Sequence, residues 1–98
     1  MSIIRHISVC GRVQGVGFRA FAEHEALKRH LGGWVRNCRN GTVEAVFTGE
    51  AAAVVDAIEA CRQGPIGARV DALYERDGTG EDLKPRRPGD VFSVLATA

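Results

Sequence analysis

Cysteine is scarce in this chain of 98 residues: three are present, at positions 10, 38 and 61. Their number is odd and none form a C-x-x-C pair, which speaks against a disulfide framework or a zinc knuckle and reads as three reduced, structural thiols. Long apolar runs are also missing. Nothing approaches the roughly 18 residues of a membrane span, and the start carries no charged segment followed by an apolar one. The reading is a cytoplasmic protein with no membrane partner. Charge of one sign is lacking, with 13 Lys and Arg against 12 Asp and Glu. Nucleic-acid binders usually show a clearly basic domain, and RNA readers expose several aromatics on a sheet. The middle of this chain offers only Trp34 and Phe47, so no nucleic-acid partner is expected. Neither a G-x-x-x-x-G-K-[ST] phosphate loop nor a G-x-G-x-x-G dinucleotide fingerprint occurs. His6, His24 and His30 make no ligand constellation, because His24 and His30 are six apart and off a shared helical face. No metal and no cofactor is expected.

What is present is a regular alternation of elements within one domain, 1–98. A chain of this size buries roughly 60–70% of its unfolded surface and needs no staples. Ile3–Cys10 is rich in Ile and Val and reads as a strand, followed by a loop over 11–17. From Phe18 to about Arg29, apolar residues at Phe18, Phe21, Ala22 and Ala26 mark one face of a helix. Trp34–Arg39 and Thr42–Thr48 read as a hairpin, and Asn40-Gly41 suits a type I′ turn. Ala51–Arg62 has a second apolar stripe and ends near Gly64-Pro65. Arg69–Glu75 is a fourth strand, residues 76–90 a polar loop, and Phe92–Leu95 a short last strand. The order predicts an α+β, ferredoxin-like βαββαβ sandwich: an antiparallel sheet with two helices on one face and a short C-terminal strand.

The stretch CGRVQGVGFRAF, residues 10–21, combines three glycines with an arginine at the start of the first helix. A helix N-terminus favours acidic residues, so Arg19 opposes the local dipole. Glycines at 11, 15 and 17 can turn successive backbone N–H groups toward one point, and Arg19 could add two parallel hydrogen bonds to a phosphate placed there. The charge distribution suits a local anion site, because residues 1–45 carry seven Lys and Arg against three Glu. By itself, the loop reads equally as an anion nest or as a plain turn with a surface arginine.

GRVQGVGFR at 11–19, GWVRN at 33–37 and NGTVEAVFTGE at 40–50 together resemble the acylphosphatase family, with GPIGARV at 64–70 and Phe92-Ser93-Val94 adding to the match. The resemblance implies a small enzyme that hydrolyses carboxyl-phosphate anhydrides to a carboxylate and inorganic phosphate. It places the phosphate-binding arginine at Arg19 and the water-positioning asparagine at Asn37. It assigns the mainly backbone cradle to Gly11, Gln14, Gly15, Val16, Gly17 and Phe18. The substrate would be a small acyl phosphate, and the working form a monomer without metal.

The chain departs from the family pattern before Gly32, where Arg29-His30 replaces the usual Leu-Gly. Either His30 takes the left-handed conformation at a cost of roughly 1 kcal/mol, or Gly32 ends the helix. Ala20 and Asn40 replace residues more often aromatic and acidic, while Trp34 reads as a packing residue. An RNA-binding sheet, or a domain that binds phosphate without turnover, are the alternatives of other classes.

Overall fold

A computed structural model describes residues 1–98. Strand β1 (Ser2–Arg12) leads to helix α1 (Phe18–Leu27), then to β2 (Gly32–Asn37) and β3 (Val43–Glu50). Helix α2 (Ala51–Gln63), strand β4 (Arg69–Asp77), a 3₁₀ helix (Gly80–Leu83) and strand β5 (Phe92–Val94) complete the chain. The sheet order is β4-β1-β3-β2-β5, and the first four strands pair antiparallel.

Alternation along the strands sends Ile7, Val9, Val35, Val43, Ala45 and Phe47 to one face, where they meet Phe18, Ala22 and Ala26 of α1 and Val54, Ala57, Ile58 and Cys61 of α2. Both helices therefore cover the same side of the sheet, as the ferredoxin-like arrangement requires. Phe47 and Phe92 stack with ring centroids 5.8 Å apart, which fastens the short β5 to the core. Truncating a buried phenylalanine of this kind costs about 3–5 kcal/mol.

The sheet is mixed, because β5 runs parallel to β2, with Gly33 opposite Phe92 and Val35 opposite Val94. The segment expected to be a plain polar loop explains how β5 gets there. Leaving β4, it passes over the face of the sheet opposite the helices, where the Trp34 indole N–H donates to the Asp82 carbonyl at 2.6 Å. Its 3₁₀ turn is closed by a capping box between Thr79 and Asp82. Trp34 is thereby buried, with the Arg36 guanidinium 4.6 Å from its ring centroid.

Two local expectations are settled by geometry. Helix α1 ends on His30, whose φ is +59°, while Leu31 N–H donates to the Ala26 carbonyl and His30 N–H to that of Leu27. Those bonds close a helix on a left-handed residue, so His30 sits where glycine is usual. The hairpin turn is not type I′, since Asn40 lacks a positive φ. Instead Cys38 N–H donates to the Thr42 carbonyl, Gly41 takes φ +93°, and the Asn40 side chain accepts from the backbone N–H and hydroxyl of Thr42. This is a three-residue loop held by an Asx turn.

Candidate active site

The site forms where β1 hands over to α1. Gly15 and Gly17 have φ of +75° and +79°, and a Cβ on either would meet open space. Their glycines are therefore required by backbone conformation rather than by crowding. Gly17 is also the N-cap of α1, and it offers no side chain to cap the helix. The N–H groups of Gln14, Gly15, Val16 and Gly17 donate to no group of the protein. The first-turn amides of Phe18, Arg19 and Ala20 have no carbonyl behind them within the helix, and no acidic residue occupies that turn. The result is a run of unpartnered donors at the positive end of a helix, suited to an anion.

Two anchors hold this loop in place. Phe18 is buried and packs edge-to-face on Phe21 at 5.8 Å, which fixes the start of the helix. The Gln14 side chain donates to the Cys38 carbonyl at 2.7 Å and to the Thr42 carbonyl at 2.8 Å. It thus ties the cradle loop to the hairpin loop that follows Asn37.

A cleft of about 470 Å³ opens beside the loop. Arg19 and Asn37 line it together with Gly15, Gly17 and Phe18, and Val13, Ala20, Glu23 and Val94 complete the wall. One Arg19 Nη donates to the Leu95 carbonyl at 2.9 Å, and the guanidinium has no carboxylate partner. The Asn37 backbone carbonyl accepts from Ala98 N–H at 3.0 Å, while its carboxamide makes no bond within the protein. Residues 95–98 therefore run beside the end of β2, bonded to the Arg19 side chain and to the Asn37 backbone.

Three of the expected cradle residues lie outside the cleft lining. Gly11 belongs to β1, at a register shift opposite Val70, where an added Cβ would lie 2.2 Å from the Arg69 carbonyl oxygen. It is glycine because two strands approach closely. Val16 packs against the core, and Gln14 acts through its side chain as described. Glu23, Val13, Ala20 and Val94 were not assigned to the site from the sequence. Glu23 had a signal, since it follows Arg19 by four residues and so shares its helical face.

Other charged clusters stand apart from the cleft. On the face opposite the helices, Glu44 binds His6 at 2.6 Å and Arg36 at 2.8 Å. Burial pushes the Glu44 carboxyl up, but those hydrogen bonds outweigh it and leave it below the usual carboxylate range. Arg36 is thus committed to Glu44, and Arg12 is exposed at the end of β1 opposite Arg69. All three cysteines are free thiols, and burial raises Cys61 to about 12. No group of three or more His, Cys, Asp or Glu side chains is arranged to hold a metal ion. No helix is long and apolar enough to cross a membrane.

Comparison with known proteins converges on one family. The family model Acylphosphatase matches residues 5–86. An acylphosphatase of Rhodopseudomonas palustris (strain BisB18) is 54% identical over 96 residues, covering 98% of this chain and 97% of that one. Among solved structures, an acylphosphatase from Coxiella burnetii superposes with a TM-score of 0.84 at 32% identity, covering 96% of this chain and 93% of that one. The acylphosphatase from Bacillus subtilis gives 0.82 at 35% identity, covering 97% and 99%. With a whole-length match in sequence and in fold, the chain belongs to the acylphosphatase family and is a hydrolase.

Proposed function

We propose that this enzyme cleaves small acyl phosphates in the cleft between α1 and the ends of β2 and β5, with the phosphate in the 14–20 backbone cradle. The observation that carries the reading is the meeting of unpartnered amides, an Arg19 guanidinium with no carboxylate partner and a free carboxamide on Asn37 in one cleft. Arg19 opposes the helix dipole because a phosphate lies between them, taking hydrogen bonds from both sides.

The chemistry asks little more of the protein. The leaving group is a carboxylate whose conjugate acid has a pKa of about 4, so it departs without a general acid. A loose phosphoryl transition state needs positioning and charge stabilisation, and the cradle and Arg19 supply preorganised donors for the equatorial oxygens. Asn37 is no base at neutral pH, but its carboxamide orients the attacking water. The water's proton passes to the substrate phosphate, and no metal takes part.

The same proposal treats residues 1–98 as one monomeric domain of the cytoplasm. Free thiols suit a reducing compartment. Nucleic acid has no part in it, because Trp34 and Phe47 are both buried and the one exposed aromatic of the sheet, Tyr74, stands alone where base stacking uses several. A titration with inorganic phosphate followed by amide NMR tests the cradle. Shifts concentrated at residues 14–20 and lost in Arg19→Ala support it, and shifts scattered over the basic surface contradict it.

A further inference from the structure

Glu23 stands out from every other acidic side chain of the protein. Of the 12 Asp and Glu residues, the other eleven each make an ion pair within 4 Å, on both faces of the sheet and along both helices. Glu23 makes none and accepts no hydrogen bond, although it is half-buried in the wall of the cleft. Its natural neighbour at this spacing, Arg19, turns instead to the Leu95 carbonyl. The cleft thus holds one cation and one anion that leave each other free.

Their positions along α1 differ by one turn, about 6 Å of helix axis at 1.5 Å per residue. Arg19 is in the first turn beside the amide cradle, and Glu23 is one turn farther from it. The cleft runs from the cradle glycines to Glu23, so the remainder of a molecule whose phosphate sits at the helix N-terminus has this wall beside it. The group that then passes Glu23 is the acyl portion.

We infer that Glu23 is a specificity-determining residue: it disfavours acyl phosphates whose acyl group carries a second carboxylate and favours neutral or cationic ones. This rests on the function proposed above. A like charge about one helical turn away in a partly wet cleft is worth a 3- to 10-fold difference in kcat/KM, and salt screens it.

The test compares succinyl phosphate with benzoyl phosphate in the wild type, Glu23→Gln and Glu23→Lys. The readout is the ratio of the two kcat/KM values at low ionic strength. Because Glu23 has no partner to lose, Glu23→Gln is isosteric and breaks no contact. The ratio of succinyl to benzoyl phosphate is expected to rise 3- to 10-fold in Glu23→Gln and further in Glu23→Lys. The gain should shrink in 0.5 M salt, where the Debye length falls to about 4 Å. An unchanged ratio overturns the inference, and so does a uniform change on both substrates, which would show Glu23 acting on the phosphate. A wild type that hydrolyses neither compound sinks the function proposal itself, and the inference with it.

Discussion

The Gln14 latch is the contact on which the cradle's relation to Asn37 depends, and it can be cut without touching either proposed catalytic side chain. Its two N–H···O bonds, at 2.7 and 2.8 Å, go to the carbonyls of Cys38 and Thr42, which flank the hairpin loop. A neutral hydrogen bond contributes a net 0.5–1.5 kcal/mol, so Gln14→Ala is expected to cost about 2 kcal/mol. In a domain of this size each kcal/mol moves Tm by roughly 4–8 °C, which puts the loss near 10 °C or somewhat above. Gln14→Glu is the sharper perturbation. It keeps the shape but presents an acceptor to two carbonyl oxygens, so it should destabilise at pH 7 at least as much as the truncation. Urea unfolding at pH 7 measures the stability change. Turnover of benzoyl phosphate in both variants, under conditions where they stay folded, reports the geometry. The kcat should fall, because Asn37 directly precedes the residue whose carbonyl the latch holds. Wild-type stability in Gln14→Glu would refute the hydrogen-bond assignment. A stability loss with unaltered kcat would refute the positioning role.

Other outcomes follow from single observations. His30→Gly removes a side chain held at φ +59° with no bond of its own, and it should raise stability by about 0.5–1 kcal/mol with a matching rise in Tm by calorimetry; a drop would mean the left-handed position carries no strain. Glu44 has a folded-state pKa below its unfolded value. Its stabilisation is therefore fully present above the ordinary carboxylate range and lost as pH falls below about 4.5. Glu44→Gln should flatten the acid limb of stability between about pH 5 and 3, and an unaltered acid limb would remove the Glu44 network from the account. Phe47→Ala should cost about 3–5 kcal/mol by denaturant unfolding, and a loss under 1 kcal/mol would contradict the stacked arrangement with Phe92.

Much of this architecture is legible locally. The alternation in β1 and the stripes of α1 and α2 each declare an element without help from the rest of the chain. The glycine loop and Arg19 announce an anion site, because an uncapped helix start with a cation runs against the usual preference. What escaped is what depends on a distant partner. Gly11 is indistinguishable in sequence from Gly15 and Gly17 until β4 brings the Arg69 carbonyl against it. The Gln14 side chain gains its meaning only when the hairpin is folded beneath it. The parallel entry of β5 depends on the 78–90 segment lying across Trp34, although the Thr79 to Asp82 capping box was there to be read. Asn40-Gly41 suggests a two-residue turn, but the Asx contact to Thr42 draws it into a three-residue loop.

The central claim is that Arg19 and Asn37, set against a backbone cradle, are sufficient for metal-free cleavage of an acyl phosphate. The most direct measurement is hydrolysis of benzoyl phosphate by the purified protein in EDTA, beside Arg19→Ala and Asn37→Ala verified as folded by circular dichroism. Loss of one preorganised transition-state contact costs about 2.7–4 kcal/mol, or roughly 100- to 1000-fold in rate. The account predicts wild-type turnover undiminished by EDTA and a collapse of that order in each variant. Turnover abolished by EDTA, or retained in either folded variant, would contradict it.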